Sequence, residues 1–459
     1  MRIVPASRGE RFAAPMTSRS EPSAETAERP GSLIVLALLA PVAGAIAGLL
    51  GSIFRLALVH GDHLRDALIF WAHGRKAPGF LMVTLSCAAA TALAAWLVRR
   101  YSPLASGSGI PLVEAGLEGK QQEASFPFIP VKFFGGLLAM GAGLALGREG
   151  PSVQMGASSA DTLAKICKRN LADRRVLLAA GAGAGLATAF NAPIAGAIFV
   201  LEELVRRFEP RIAIVALGAS SAAITVAHLF LGHQPDFHVE ALFFTRNNGT
   251  KPLFFVLGVL AGLAGVAYNH AILGAIAAAD RLRRWPVELR AACIGAAVGI
   301  LAWFAPGLVG GGDPITQRLL EGVGTLTVIP LLFLIRFGLG AVSYAAATPG
   351  GLFAPMLVLG AQLGLFFGLG CQFLFSSLEI QPVAFAVVGM AAFFAAVVRA
   401  PLTGIVLVTE MTGNVTMLLP MLGACFAAML FTALLRNPPI YDSLKERTLR
   451  KDSATLVSS

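Results

Sequence analysis

Long apolar stretches, interrupted by glycine and proline, most constrain what this chain can fold into. Each is free of Asp, Glu, Lys and Arg, and together they cover residues 33–54, 77–98, 176–201, 212–235, 252–279, 291–312, 337–378, 380–398 and 411–435. About 20 apolar residues cross a bilayer as one helix. Because several stretches are longer than this or contain Gly and Pro, we expect interrupted helices that end inside the membrane. No stretch alternates with the period of a barrel strand, so the sequence predicts an all-α polytopic membrane protein.

Composition and charge agree with a membrane setting. Of the 459 residues, 56% are hydrophobic and only 14% are charged, and the mean hydropathy is +0.73, which is more apolar than a soluble globular protein. The formal charge of +10 comes from basic residues in short segments between apolar stretches, at 165–175, 206–211, 281–290 and 436–451. Short basic segments of this kind are typical of cytoplasmic loops. The charge therefore indicates a lipid bilayer as the surroundings and no nucleic-acid partner.

Cysteine and histidine spacing gives no indication of a metal centre. The five cysteines are scattered and none forms a Cys-x-x-Cys pair, which argues against a disulfide framework and a zinc site. His60 and His63 could share a helix face, but the charged residues around them favour an interfacial segment over a metal site. The chain also lacks a P-loop pattern and a nucleophile beside a positioned base. We expect no metal, no cofactor and no enzymatic activity.

The ends of the chain differ in composition from the apolar region. Residues 1–31 are rich in Ser, Glu, Arg and Pro, which predicts a disordered cytoplasmic tail without the apolar stretch of a signal peptide. The membrane domain is expected over 32–436. Residues 437–459 are expected to form an end segment and a short cytoplasmic tail, since about twenty residues after Pro438 are too few for a regulatory domain.

Two internal repeats divide the membrane region. The segment 151–156 is similar to 355–360, and 190–202 is similar to 398–410, at nearly the same offset. Two matches in the same order predict two related halves, a common plan among membrane transporters. The halves cover about 33–230 and 253–436, and the polar segment 233–251 joins them. The repeats themselves leave open whether the halves are parallel or inverted.

Arg148 and Glu149 are the only charged residues between positions 133 and 160. Ionisable side chains at membrane depth are costly and are by default functional. Gly150 and Pro151 follow them and favour a helix start, where unpaired N–H groups and the helix dipole attract an anion. Pairing of Arg148 with Glu149 is disfavoured, because adjacent residues do not face each other on a helix. The hypothesis is that the Glu149 carboxylate and a permeant anion compete for one position.

Three interruptions share this combination of glycine and proline. They are Gly107-Ser108-Gly109-Ile110-Pro111, Gly147-Arg148-Glu149-Gly150-Pro151 and Gly351-Leu352-Phe353-Ala354-Pro355. We call these the first, second and third breaks. Each ends in a proline suited to open a helix and contains glycine, which permits close backbone approach. Glycine also lets membrane helices pack closely, so one break alone is a weak signal. The three together predict amide groups that converge on one anion.

Further motifs make a family resemblance specific. The three breaks, with Phe190-Asn-Ala-Pro193, Glu202-Glu203 and Pro438-Pro-Ile-Tyr441, resemble the CLC family of chloride channels and proton/chloride exchangers over about residues 33–447. The resemblance implies the CLC fold, with two inverted halves of tilted, broken helices. It also implies a homodimer in the plasma membrane, expected to be a bacterial inner membrane, with one pore in each subunit. Chloride and protons are the implied substrates.

The resemblance also implies roles for the residues of the breaks. Ser108 offers its hydroxyl and Tyr441 its phenol to a central chloride, while Leu352 and Phe353 offer backbone amides. Neutral donors of this kind hold an anion without trapping it. Considered alone, Ser108 is more typical of a turn or cap and Tyr441 of an interface anchor. The other residues assigned to the selectivity filter are Gly107, Gly109, Ile110, Pro111, Gly147, Arg148, Gly150, Pro151, Gly351, Ala354 and Pro355.

Two glutamates carry the implied proton chemistry. Glu149 matches the gating glutamate, which also transfers the external proton, and Glu203 matches the internal proton-transfer glutamate. A glutamate at position 203 favours an exchanger, and a passive chloride channel remains the alternative. For Glu202 we expect a structural role at the cytoplasmic interface, paired with Arg206 and Arg207.

The anion is expected to be chloride. Serine at position 108 resembles the chloride-preferring members of the family, whereas proline there is associated with nitrate. Pro151 departs from the pattern of fluoride exporters. Leu112 stands where some bacterial relatives carry an acid, outside the contacts expected for the pore.

Overall fold

The computed structural model describes residues 30–119, 128–239, 248–282 and 284–458. Within these ranges seventeen α-helices account for most of the chain. They are α1 Pro30–His73, α2 Ala77–Tyr101, α3 Ile110–Leu117, α4 Phe128–Gly141, α5 Glu149–Ile166, α6 Leu171–Phe190, α7 Pro193–Phe199, α8 Pro210–Leu231, α9 Lys251–Arg281, α10 Val287–Phe304, α11 Asp313–Leu320, α12 Ile329–Tyr344, α13 Phe353–Leu374, α14 Pro382–Val398, α15 Pro401–Thr412, α16 Leu418–Leu434 and α17 Ile440–Ser458. Of the predicted tail, residues 1–29 lie outside the described ranges.

Helix lengths fall into two classes. Six helices are long and apolar enough to cross a membrane, namely α1, α2, α8, α9, α10 and α13. Others are apolar but shorter, 10–17 residues, and include α4, α12, α14, α15 and α16. Because about 20 residues are needed to cross the hydrocarbon core, the shorter helices leave helix ends within the fold. The predicted all-α membrane architecture with interrupted helices is confirmed.

Glycine and proline interrupt some of the long apolar stretches, but α1 and the 31-residue α9 run unbroken. The apolar stretch 337–378 is divided where α12 ends at Tyr344 and α13 begins at Phe353. By contrast, α1 runs without a break for 44 residues, through Pro41 and the segment predicted to be interfacial. At 1.5 Å per residue it is about 66 Å long, and so it extends well beyond a core of roughly 30 Å. On the polar part of α1, Arg65 and Asp62 stabilise the helix through an ion pair of 2.6 Å.

Glycine contacts at equivalent places relate the two halves. In the first half, a Cβ atom at Gly156 of α5 would lie 2.3 Å from the carbonyl oxygen of Gly181 in α6. In the second half, a Cβ atom at Gly360 of α13 would lie 2.4 Å from the carbonyl oxygen of Gly389 in α14. Gly156 and Gly360 are the matched ends of the first sequence repeat. The repeat therefore marks the same close helix contact in both halves.

Reciprocal helix caps join the halves. Both oxygens of Glu202 accept backbone hydrogen bonds at the start of α15, at 2.9 Å from Leu402 and 2.6 Å from Thr403. The repeat partner Glu410 does the same at the start of α7, at 3.0 Å from Ile194 and 2.7 Å from Ala195. Each half thus caps a helix of the other half. A two-fold axis that relates the two halves generates such a reciprocal pair of contacts.

The caps correct the expectation for Glu202. We expected its carboxylate to pair with Arg206 and Arg207, and this is wrong, since its hydrogen bonds go to α15. The first N–H groups of a helix have no partner within the helix, so a carboxylate at that place satisfies several of them at once. This cap could not be predicted from local sequence, because the capping residue and the helix are about 200 residues apart.

Candidate functional site

The three breaks meet and are tied together by backbone hydrogen bonds. The second and third breaks exchange a reciprocal pair, from Gly147 N to Gly351 O at 2.9 Å and from Gly351 N to Gly147 O at 2.7 Å. The first break joins them through Gly107, which donates to Thr348 O at 3.0 Å and accepts from Gly350 N at 3.1 Å. Three segments far apart in the sequence thus form one structural unit, as the shared motif predicted.

The Glu149 carboxylate lies inside this unit and is fully buried. Its Oε1 atom accepts a hydrogen bond of 2.6 Å from Phe353 N, at the first residue of α13. A Cβ atom at Gly351 would lie 2.2 Å from Oε1, and one at Gly147 would lie 2.0 Å from Oε2. Glycine is therefore required at both positions for the carboxylate to fit. The second oxygen, Oε2, has no hydrogen-bond partner among the described residues.

Helix α5 begins slightly earlier than the proline suggested. The sequence placed Glu149 just before the helix, whereas the structure makes it the first residue, with Arg148 as the N-cap. Pro151 still falls within the first turn, where a missing N–H loses no helical hydrogen bond. The side chain of Glu149 is consequently close to the N-termini of two helices, α5 and α13, whose dipoles both favour an anion.

Arg148 is engaged away from Glu149. Its guanidinium contacts Asp313 at 2.5 Å and Asp236 at 2.9 Å, and its Nε atom donates to Ala189 O at 2.8 Å. Asp236 also pairs with Arg55 at 2.8 Å. The two aspartates neutralise Arg148. This agrees with the expectation that Arg148 does not pair with Glu149. Sequence reasoning missed both aspartates, which come from separate segments and carry no motif.

Two predicted chloride donors lie beside Glu149. Ser108 and Tyr441 are both buried, and neither hydroxyl completes a hydrogen bond of ordinary geometry with a described residue. Ser108 lies against the second break, since a Cβ atom at Gly150 would be 2.7 Å from its Oγ atom. The Tyr441 ring stacks on the Phe353 ring at a centroid distance of 6.1 Å. Two hydroxyl groups and one backbone amide therefore lie around the second break and the start of α13, where the carboxylate is held.

The remaining predicted filter residues support the pocket through the backbone. Gly150 lies against the first break, because a Cβ atom there would be 2.5 Å from Ser108 O. Leu352 is the buried N-cap of α13. The residues Gly109, Ile110, Pro111, Pro151, Ala354 and Pro355 form the cap or first turn of α3, α5 and α13.

Lys132 supports the first break and was not identified from the sequence. It is fully buried in α4, and its Nζ atom donates to Gly107 O at 2.6 Å and to Ala105 O at 3.1 Å. Lys132 thus binds two carbonyl oxygens, one at the start of the first break and one just before it, which would otherwise repel an anion at Ser108. A signal did exist, because Lys132 is the single charge in an apolar helix.

Glu203 lies in a second group of charged residues on the side of the basic loops. It is 3% exposed, and its Oε1 atom is 3.6 Å from an Arg206 nitrogen. Arg206 itself forms a two-point pair with Asp442 at 2.7 and 3.0 Å. Buried Glu114 pairs with Lys445 at 3.1 Å. Sequence reasoning identified Glu203 but not these neighbours.

Tyr441 links the two groups along the chain. Its ring stacks on Phe353, whose amide holds Glu149, and the next residue, Asp442, pairs with Arg206. A cavity of about 440 Å³ opens beside the first break and reaches Ser108. Its charged lining is Arg99, Arg290 and Arg447, with Asp280, which pairs with Arg447. Positive charge along a cavity concentrates anions near its inner end.

Comparison with known proteins gives consistent matches. A family model described as voltage gated chloride channel matches residues 90–433. The H⁺/Cl⁻ exchange transporter ClcA of Vibrio cholerae is 38% identical over 426 residues, covering 92% of this chain and 90% of the relative. ClcA of Cronobacter sakazakii is also 38% identical, over 430 residues, with 92% and 91% covered.

Solved structures agree in fold. The crystal structure of a slow cyanobacterial Cl⁻/H⁺ antiporter superposes with a TM-score of 0.87 at 33% identity, covering 93% of this chain and all of the other. A eukaryotic CLC transporter superposes with a TM-score of 0.77 at 24% identity over 90% of this chain. At that identity the second likeness concerns the fold alone.

Proposed function

The chain belongs to the voltage-gated chloride channel family, the CLC family, and on that basis we propose that it exchanges chloride for protons across the membrane. Relatives that match nearly its whole length are H⁺/Cl⁻ exchange transporters by name. The observation that carries the proposal is the buried Glu149 carboxylate, held by the Phe353 amide where helix N-termini converge. Because this carboxylate stands where an anion would bind, its protonation can control whether chloride binds there.

The donors around Glu149 suit chloride. The hydroxyls of Ser108 and Tyr441 and the amides of Leu352 and Phe353 are neutral, so a halide held by them can leave again. Both hydroxyls have donor capacity that no described residue uses. Lys132 supports the site indirectly, because its Nζ atom donates to the carbonyl oxygen of Gly107 in the first break. These residues are proposed to bind the central chloride.

The Glu149 side chain is proposed to act as the gate. Its charged form takes an anion position; protonation removes the attraction of the helix dipoles, so the side chain leaves and chloride enters. Arg148 is held by Asp236 and Asp313, and release of Glu149 therefore breaks no salt bridge between the two neighbours. The hydrogen bond from Phe353 N is the contact that must be exchanged for chloride.

Glu203 is proposed to pass the proton to and from the cytoplasm. It is buried, yet it lies beside Arg206 and the Glu114–Lys445 pair on the basic side of the protein. Chloride is proposed to reach Ser108 from the same side through the basic cavity. Proton and anion then use separate routes on the cytoplasmic side and meet near Tyr441.

The assembly is proposed to be a homodimer in the bacterial inner membrane, with a complete site in each subunit. The bacterial relatives and the membrane-spanning helices support a multi-pass membrane location. All the donors named above come from one chain, so each subunit has the residues for its own pore.

Simultaneous recording of chloride and pH in liposomes tests the function. Purified protein is reconstituted with a high internal chloride concentration, and external chloride and pH are followed with two electrodes. Chloride efflux is expected to drive protons into the vesicles against a pH gradient. Chloride flux without proton movement would favour the passive channel, and absence of flux would contradict both.

Substitution of Ser108 tests the anion pocket. Ser108→Pro is expected to raise the nitrate-to-chloride transport ratio, because a hydroxyl donor is lost and the backbone of the first break changes. Ser108→Ala removes the hydroxyl alone and is expected to weaken chloride binding about fivefold, as for one neutral hydrogen bond of about 1 kcal/mol. Ser102→Ala, outside the cavity lining, is the matched control. Unaltered selectivity in Ser108→Pro would place the side chain outside the pore.

A further inference from the structure

Two histidines converge at the end of α8. His228 lies in the last turn of α8, and His233 lies in the segment that follows. Their Nδ1 atoms are 2.9 Å apart, and their ring centroids are 4.3 Å apart. The sequence shows these residues only as dispersed histidines, five positions apart, and neither has a part in the proposed exchange.

Hydrogen bonds fix which nitrogen of His228 carries its proton. Asn191 donates through Nδ2 to Gln234 O at 2.9 Å, which turns its oxygen Oδ1 toward His228. That oxygen is 2.9 Å from His228 Nε2 and can only accept. Nε2 of His228 therefore carries the hydrogen. In the neutral ring, the lone pair is then on Nδ1 and accepts a hydrogen bond from Nδ1–H of His233. A metal ion bound by both rings takes the place of this shared proton.

We propose that His228 and His233 bind a divalent transition-metal ion of the zinc and nickel class through their Nδ1 atoms. Imidazole nitrogen suits these ions. A histidine that ligates a metal usually donates its other N–H to an oxygen, and the His228–Asn191 hydrogen bond has this arrangement. Across the described ranges no three His, Cys, Asp or Glu side chains converge on one point. Two protein ligands therefore hold the ion, and water completes its coordination.

The site is open to the external solution. His233 is exposed and His228 is partly exposed. Helix α8 begins beside the basic segment 206–211, which the positive-inside rule places in the cytoplasm, and its far end is then external. Three residues beyond His233, Asp236 contacts Arg148 and Arg55. The ion thus ties α8 to the segment that holds the Arg148 network.

Metal binding is measurable without any transport assay. Tag-free protein in detergent is titrated calorimetrically with zinc chloride and with nickel chloride. The exposed thiols of Cys167 and Cys293 are first removed as Cys167→Ser and Cys293→Ser, because thiolates also bind zinc. One equivalent per chain is expected. Affinity is expected to fall on acidification, because protons compete with the metal ion for the imidazole nitrogens.

Single substitutions distinguish loss of a metal ligand from misfolding or a change in a nearby histidine. His228→Ala and His233→Ala are each expected to abolish the saturable binding, whereas His238→Ala, an exposed histidine on the same segment, is expected to retain it. Asn191→Gly keeps the left-handed backbone at φ 51° and is expected to weaken binding about tenfold, as for loss of an outer hydrogen bond. Elution of each variant as a single folded species, in a gel-filtration run, controls for misfolding.

Three results would overturn the metal site. They are absence of saturable zinc and nickel binding in the parent protein, unchanged affinity in folded His233→Ala, and equal loss in His238→Ala. Each leaves the proposed chloride/proton exchange untouched, since the titration does not depend on flux.

Discussion

Glu149→Gln is expected to leave chloride flux in place and to abolish proton movement. Glutamine matches the size of glutamate but carries no charge, so it mimics the protonated gate and cannot carry a proton. Chloride then competes with no carboxylate for the Phe353 amide. In liposomes the variant is expected to show chloride efflux without proton uptake. Its flux is also expected to lose the dependence on pH that protonation of Glu149 gives the parent protein.

The matched control for this experiment is Glu410→Gln. Glu410 is also an acid within the membrane region, but both of its oxygens cap α7. Proton coupling is expected to persist in that variant. Coupled transport that survives in Glu149→Gln with its pH dependence intact would remove Glu149 from the mechanism.

Glu203→Gln is expected to stop proton transport while chloride still passes. The side chain is 3% exposed and lies among Arg206, Glu114 and Lys445, so a neutral amide interrupts the proposed relay at its cytoplasmic end. The expected loss is complete, within the detection limit of the pH electrode. Chloride flux is expected to continue because its pocket, at Ser108 and Tyr441, is unchanged.

Glu202→Gln is a close control, since the adjacent side chain caps α15 and has no role in the relay. It is expected to keep coupling, with some loss of thermal stability. Proton pumping at the parent rate in Glu203→Gln would leave that residue with a structural role only. Equal loss of coupling in Glu202→Gln would indicate that disturbance of the helix end, not proton transfer, explains the effect.

Much of the fold was predictable because it depends on local composition. The charge-free stretches predicted helices, and glycine and proline predicted where they break, as between α12 and α13. The three breaks share one pattern because each begins a helix at the same site. The family resemblance that they indicated is confirmed. The all-α membrane fold with inverted halves is likewise confirmed by the superposition with a Cl⁻/H⁺ antiporter.

Contacts between distant segments were not predictable. Nothing near Arg148 in the sequence points to Asp236 or Asp313, which neutralise it. The caps made by Glu202 and Glu410 depend on the two-fold relation of the halves, and the expectation for Glu202 was wrong for that reason. Long-range ion pairs and caps need the tertiary structure, whereas apolar stretches and helix breaks do not. The roles of Glu149, Glu203 and the chloride donors remain predictions.

The claim that one acid and one anion share a position has a direct structural test. Crystals of Glu149→Gln grown in bromide locate the halide by its anomalous scattering. The account predicts a bromide ion within hydrogen-bond distance of Phe353 N, Ser108 Oγ and the Tyr441 hydroxyl, with the side chain at position 149 displaced. A pocket without bromide, in which the glutamine remains on Phe353 N while bromide binds elsewhere, would contradict it.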